Sequence, residues 1–507
     1  MIRRNWIAAA LVAVMALASS VDAVTPLSDR TPAPGHYRQH HPHKRHRYRR
    51  HHRGPTHTAT PTPTPTTTWT PTVTPTPRPW STPVTLSPES GAYPDVAADA
   101  TGGVHVVWQA GDSRYDKVMS CQVGTDGCSD TTAIAHHAMT AGGSYPTRPS
   151  LAVGADGTLH VIWRSKFQIA YQKVSLADPR RGWSVPYRLG EGSYSTIAAG
   201  PDGVVHAAWS QSQYGDRSNP CNGCADVMYA RSEDGAETWT AMVDLSRTAA
   251  GSEKPQFAFG NDGTIYLVWE EGRDKVTGKG TPMPAMGIVS RDGGKTWGTP
   301  FSFSAAEAAE NPAVAVAGDG TAVVVWRAML RDELVYQTST DRGRTWSEPR
   351  IIMPGLHRRW RAPDESDGAQ MTTDAAGTVH LVMTGLVDER MELSGVYHAS
   401  FDGASWTMEE IARTTGAPEW PRIAVSDGNT LNVVWFDQSR DQLYTGKASG
   451  HRIYYARATS DAPSVARVAW PASSRWVDWR EVWRLTQIIA AVAIVTSVIL
   501  WARRRGL

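Results

Sequence analysis

Two arginines, three acids and a handful of aromatic side chains are the residues of this 507-residue chain best suited to chemistry. Arg148 sits in YPTRPSLAV and Arg422 in EWPRIAVSD, each at the start of an apolar run. A guanidinium so placed can grip a carboxylate through two parallel hydrogen bonds. Glu253, Glu310 and Asp437 flank comparable runs and are the acids available for proton transfer. Tyr93, Tyr194 and Trp420 also stand at run starts, while Glu270, Arg273 and Arg440 lie in polar inserts behind such runs. These six are the candidate ligand contacts. No residue spacing argues for a metal, and no cofactor is implied.

The elements that position these residues are repeats. From Lys254 the chain reads KPQFAFGNDGTIYLVWE, then a polar insert, then MGIVSRDGGKTWGTPFSF. Apolar or alternating runs separated by Asn-Asp-Gly and Asp-Gly-Gly turns predict four short strands. The first two strands recur from Pro94, Arg148, Tyr194, Lys254, Asn311, Gly368 and Pro421. Their shared aromatic position is held by Trp108, Trp163, Trp209, Trp269, Trp326, Met383 and Trp435. Seven repeats of four strands predict an all-β, seven-bladed propeller, because one small sheet cannot cover both of its faces whereas a ring of sheets can. The seventh repeat lacks a fourth strand, and WSTPVTLS from Trp80 matches the missing piece. Residues 80 to 87 are therefore expected to complete the last blade and leave no open edge.

Between the third and fourth strands runs a recurrent turn. Ser290, Asp292, Gly294 and Trp297 fall in one S-x-D-x-G-x-T-W segment, and Ser339, Asp341, Gly343 and Trp346 in another. Ser232, Asp234 and Trp239 keep the pattern with one glycine missing, and Asp402 and Trp406 belong to a version one residue shorter. Asp and Ser can bond backbone groups inside the hairpin, and Gly permits positive φ. These turns resemble the Asp box, or bacterial neuraminidase repeat, of the sialidase-like propeller superfamily, over about residues 80 to 462. The resemblance implies that the boxes are structural and lie on the face opposite the ligand site. A sialidase-type site would use arginines for the substrate carboxylate, a Tyr–Glu nucleophile pair and an acid. Arg148 is similar to the family's arginine-and-proline strand start, Arg422 supplies a second arginine, and Glu253, Glu310 or Asp437 would be the acid. No third arginine and no Tyr–Glu pair stand at matching positions, and sialidases have six blades.

The remaining segments place the chain. Arg3 and Arg4 precede an apolar run to Ala18, and Val21-Asp-Ala23 suits cleavage, so residues 1–23 read as a signal peptide. Residues 24–79 are a His/Arg-rich stretch followed by a Pro/Thr-rich linker, unable to build a core and open to polyanion or metal binding. Leu485 to Trp501 is an uncharged apolar run between tryptophans and three arginines, which reads as a transmembrane helix after a juxtamembrane segment 463–484 and before a basic tail 502–507. The propeller would then be extracellular. Residues 81–470 hold 34 Lys/Arg and 45 Asp/Glu, a net charge near −11, which argues against nucleic acid as a partner. In an oxidising compartment Cys121 pairs naturally with Cys128, and Cys221 with Cys224. His105, His160, His206 and His380 share one repeat position and are expected to pack with one ring nitrogen satisfied. Charged residues recur in every insert, consistent with salt bridges between blades as well as with a ligand face. The functional expectation is a membrane-anchored propeller binding a surface glycan or a protein. A sialidase-type hydrolase and a non-catalytic scaffold are the alternatives.

Overall fold

The computed structural model describes residues 79–468 except 88–89, 112–114, 139–146, 213–222, 273–279, 282, 304–306, 354–355, 358–367, 387–393 and 439–450. The expected signal peptide, the His/Arg and Pro/Thr stretch and the apolar run at 485–501 lie outside the described residues. Among the described residues no helix is long and apolar enough to cross a membrane.

Seven four-stranded antiparallel sheets follow one another along the chain. Blade 1 begins with Gly91–Ala98, blade 2 with Thr147–Val153, blade 3 with Ser193–Ala199 and blade 4 with Gly251–Phe259. Blades 5, 6 and 7 begin with Ala309–Val316, Gln370–Thr373 and Ala417–Ser426. Closure occurs as the sequence predicts: Val84 and Thr85 pair with Tyr455 and Tyr454 of the last strand, so the start of the chain's body completes blade 7. Ser81 N donates to Arg457 O and Leu86 N to Ile453 O, extending the seam.

The second strand of each blade is buried along nearly its whole length and reads as a near-continuous apolar run, because both of its faces are covered by neighbouring blades. Trp108, Trp163, Trp209, Trp269, Trp326, Met383 and Trp435 are all buried there. The boxes join each blade to the one before it. Trp239 packs edge-on to Tyr171, Trp297 to Tyr229, Trp346 to Tyr266 and Trp406 to Tyr336. Within a box one carboxylate organises the turn: Asp341 Oδ1 accepts from Thr345 N at 2.9 Å and Oδ2 from Thr345 Oγ1 at 2.6 Å, while Ser339 Oγ accepts from Gly343 N. These bonds to the charged form hold the Asp341 carboxyl below the usual carboxylate range. Gly294 has φ +79°, and a Cβ there would lie 2.1 Å from the Tyr229 hydroxyl, so the box glycine is what lets the turn sit on the preceding blade.

Cys121 and Cys128 form a disulfide within blade 1. Cys224 is also disulfide-bonded, and Cys221 lies outside the described residues. His105, His160 and His206 each make one hydrogen bond through the ring, as expected. His380 uses both nitrogens, reaching Asp374 at 3.0 Å and His398 at 2.9 Å, and His398 in turn meets Glu409.

Candidate functional site

The innermost strands carry a feature that no single repeat advertises. Tyr93, Arg148, Tyr194, Lys254, Asn311 and Trp420 occupy equivalent places in six blades, and all have positive φ, between 47° and 57°. Each sits where the pairing register of its strand slips: between Ala92 and Asp95, Thr147 and Ser150, Ser193 and Thr196, Glu253 and Gln256, Glu310 and Ala313, and Glu419 and Arg422. This is a β-bulge, with an extra residue in a left-handed conformation that side chains other than Gly adopt only at a cost. Five of the six are followed by proline, which offers no N–H to the ladder and so suits the slip. Six strained residues at one level of a ring are the kind of feature found around ligand sites.

The bulge also turns the residue two places on toward the axis. Asp95 Oδ2 accepts from Leu151 N of blade 2 at 3.0 Å, and Ser150 Oγ accepts from Ile197 N of blade 3. Gln370 Oε1 accepts from Ile423 N of blade 7, and Gln256 Nε2 donates to Ala369 O. Arg422 approaches Asp95 with Nε and Oδ1 4.0 Å apart, linking blade 7 to blade 1. Burial is the largest influence on both members of this pair. It pushes the Asp95 carboxyl up against the opposing pull of Arg422, and brings Arg422 down to about 10 against that of Asp95. The arginine therefore stays charged at neutral pH.

Around this ring lies an axial cavity of about 160 Å³ whose wall includes Asp95, Arg148, Tyr194, Lys254, Trp420 and Arg422. The Arg148 guanidinium is held between two rings, 4.7 Å from the Tyr93 centroid and 4.6 Å from that of Tyr194. Arg422 lies 4.3 Å over Trp420, whose ring meets Tyr93 edge-on at 5.5 Å. A cation stacked on aromatic faces gains about 0.5–2 kcal/mol per contact. The arrangement is a shelf of flat apolar rings with two fixed positive charges, suited to a sugar ring or planar acid.

Of the sequence candidates, Arg148, Arg422, Tyr194 and Trp420 line this cavity and Tyr93 supports it. The proposed acids do not. Glu253 is buried beside Glu270 in register, Glu310 pairs in register with Arg327, and Asp437 stands opposite Pro418 and Arg452. None of the three is on the cavity wall. Glu270 is buried as a tie between blades, accepting from Lys254 Nζ at 3.0 Å and Asn311 N at 2.8 Å. Arg273 and Arg440 lie outside the described residues. Asp95 and Lys254 were missed, although the X-Pro step shared by Tyr93, Arg148, Lys254, Asn311 and Trp420 marks their level in the bare sequence. Among the described residues no group of three His, Cys, Asp or Glu side chains could hold a metal.

Residues 201–419 match the BNR repeat-like domain. No curated protein matches the chain. Among solved structures the chain is similar to a protein of unknown function from Dyadobacter fermentans, at 14% identity and TM-score 0.44 over 75% of this chain and 98% of that one. A Hadza microbial sialidase aligns at 16% identity and TM-score 0.39, over 73% of this chain and 66% of that one. The intramolecular trans-sialidase of Ruminococcus gnavus aligns at 11% identity and TM-score 0.41, over 74% and 96%.

Proposed function

We propose that this chain, a sialidase-like propeller built of BNR-type repeats, binds an acidic carbohydrate at its axial cavity and does so without hydrolysing it. The observation that carries this reading is the Arg148 guanidinium clamped between Tyr93 and Tyr194. Stacking fixes the position of this positive charge, so a ligand carboxylate meets a cation whose ordering cost was met on folding. Trp420 and Tyr194 supply apolar faces of the kind on which a sugar ring lies.

Hydrolysis would need a carboxyl group free to exchange protons at the cavity. Asp95 is the carboxylate on that wall, and it already accepts from Val96 N and Leu151 N and opposes Arg422. A side chain so engaged holds strands together. The membrane anchor at 485–501 and an outward-facing propeller remain part of the proposal.

The test is binding of the full chain to a panel of acidic and neutral glycans, with hydrolysis followed in parallel. Retention of uronate- or sialate-bearing glycans without turnover, lost in Arg148→Ala, is the expected outcome. Turnover sensitive to the same substitution would establish a hydrolase instead. Binding to no glycan would leave a scaffold or a protein receptor.

A further inference from the structure

A second cavity lies between blades 3 and 4, on the side of the propeller that carries the boxes. Its volume is about 210 Å³, several times the roughly 30 Å³ that one water occupies. Comparison of equivalent repeat positions shows what has changed beside it. In blade 1 Asp99 Oδ2 lies 2.7 Å from His105 Nε2, and in blade 6 Asp374 Oδ2 lies 3.0 Å from His380 Nε2. The other oxygen of Asp99 caps the turn, accepting from Thr101 N and Gly103 N. In blade 3 the capping carboxylate has moved two residues on, to Asp202, whose Oδ1 accepts from Val204 N at 3.2 Å. Gly200 takes the vacated place. The turn keeps its cap, but the histidine loses its acceptor.

That histidine is His206, fully buried, and its Nε2 has no hydrogen-bond partner among the described residues. A Cβ on Gly200 would sit 3.3 Å from this nitrogen. The tautomer can be assigned. Tyr229 Oη lies 2.8 Å from His206 Nδ1: with the hydroxyl donating, only the Nε2 hydrogen is left unmet, whereas the opposite tautomer leaves both the hydroxyl hydrogen and the Nε2 lone pair unmet, which favours the first. Burial brings the imidazole down to about 4, so it is neutral at physiological pH and its one hydrogen is on Nε2. The cavity thus holds a buried N–H donor that calls for an acceptor.

The rest of the lining narrows the ligand. Asp202 is exposed at the rim and offers an acceptor, while Phe259 and Ile265 provide apolar wall. A free carboxylate would satisfy His206 but be repelled by Asp202. A metal cation would find one imidazole and one carboxylate among the lining side chains, too few to hold it. A secondary amide with a methyl group answers all three: its oxygen accepts from Nε2, its N–H donates to Asp202, and its methyl packs on Phe259 and Ile265. We propose that this cavity binds the acetamido group of an N-acetylated hexosamine, the sugar ring resting at the exposed rim by Asp202.

The test is thermal melting of the full chain with N-acetylglucosamine and with glucose, which lacks the acetamide. N-acetylglucosamine should raise the Tm in proportion to the logarithm of its concentration once that exceeds Kd, and glucose should not. The shift should persist in Arg148→Ala, which separates this site from the axial one. It should vanish in G200D/D202A, which writes the Asp-x-Ala-Gly turn of blade 6 into blade 3 and fills the cavity with a carboxylate. Should that variant fail to fold, Asp202→Ala alone, at an exposed position, should weaken the sugar at least about tenfold. An equal response to glucose, no response to either sugar, or a shift that survives in both variants would overturn the proposal. So would an equal response to an N-acetyl-lysine peptide, which would make the site one for acetylated protein.

Discussion

At the scale of single residues, the axial site turns on geometry that a conservative exchange would not keep. A lysine at 148 would retain the charge but neither the flat stack between Tyr93 and Tyr194 nor the paired donors. Arg148→Lys is therefore expected to lose acidic-glycan affinity by at least about tenfold, nearly as much as Arg148→Ala, in a titration calorimetry series. A second residue carries a pH signal. Burial, and then the neighbouring Asp226 carboxylate, push Asp244 up to about 6. Its ordinary value is about 3.9, so the folded chain holds this proton more tightly than the unfolded one. The resulting stability is complete below pH 4 and is lost as pH rises through 6. Asp244→Asn should consequently raise the melting temperature at pH 7.5 and leave it nearly unchanged at pH 4. A gain of equal size at both values would show that the shift is absent.

At the scale of elements, the box is the joint between blades. Trp346 meets Tyr266, Phe301 and Phe303 at centroid distances of 6.3, 6.1 and 4.9 Å, so one side chain is packed on rings from two strands of the preceding blade. Truncation to alanine should cost about 3 kcal/mol, at the lower end for a buried aromatic because the ring is only half-buried. Denaturant unfolding of Trp346→Ala against the parent would read this directly. The box motif was plain in the sequence. Its partner was not, because Tyr266 lies eighty residues earlier and nothing local connects the two. The bulges are the converse case: the X-Pro steps were visible, but that they stack at one level around an axis is a property of the ring.

At the scale of the whole molecule, stability depends on a seam made by segments far apart in the chain. Residues 84 and 85 pair with the last strand, Ser87 Oγ accepts from Ile453 N, and Ser81 Oγ from Arg457 N. A chain beginning after residue 87 should still hold six full blades but expose the edge of Arg452–Thr459. It is expected to melt at a lower temperature and to self-associate through that edge, which light scattering would detect. Beyond the last strand, Val465 N donates to Asp427 O and Val468 N to Ala100 O, while Arg467 pairs with Asp427. The chain thus leaves across the turns of blades 7 and 1, at the end of the inner strands away from the bulges.

The sequence by itself determined the blade count, the strand order and the supply of the last strand from residues 80–87, because each follows from local period and turn chemistry repeated seven times. It also determined that Tyr93, Arg148, Tyr194 and Trp420 share one kind of position, with Arg422 two residues further on. Only the tertiary structure decided which of the charged residues meet. Glu253 and Glu310 look like Arg148 in the chain, one charge among many near a strand start, while Asp437 stands at the end of a second strand. The bulge decides between them, since it sends the left-handed residue and the one two places on toward the axis and leaves the residue before it inside the sheet. Glu253 and Glu310 are such preceding residues. Likewise the orphaned Nε2 of His206 depends on a carboxylate that shifted by two positions between repeats, a small change in sequence whose consequence exists only where the folded turn meets the ring.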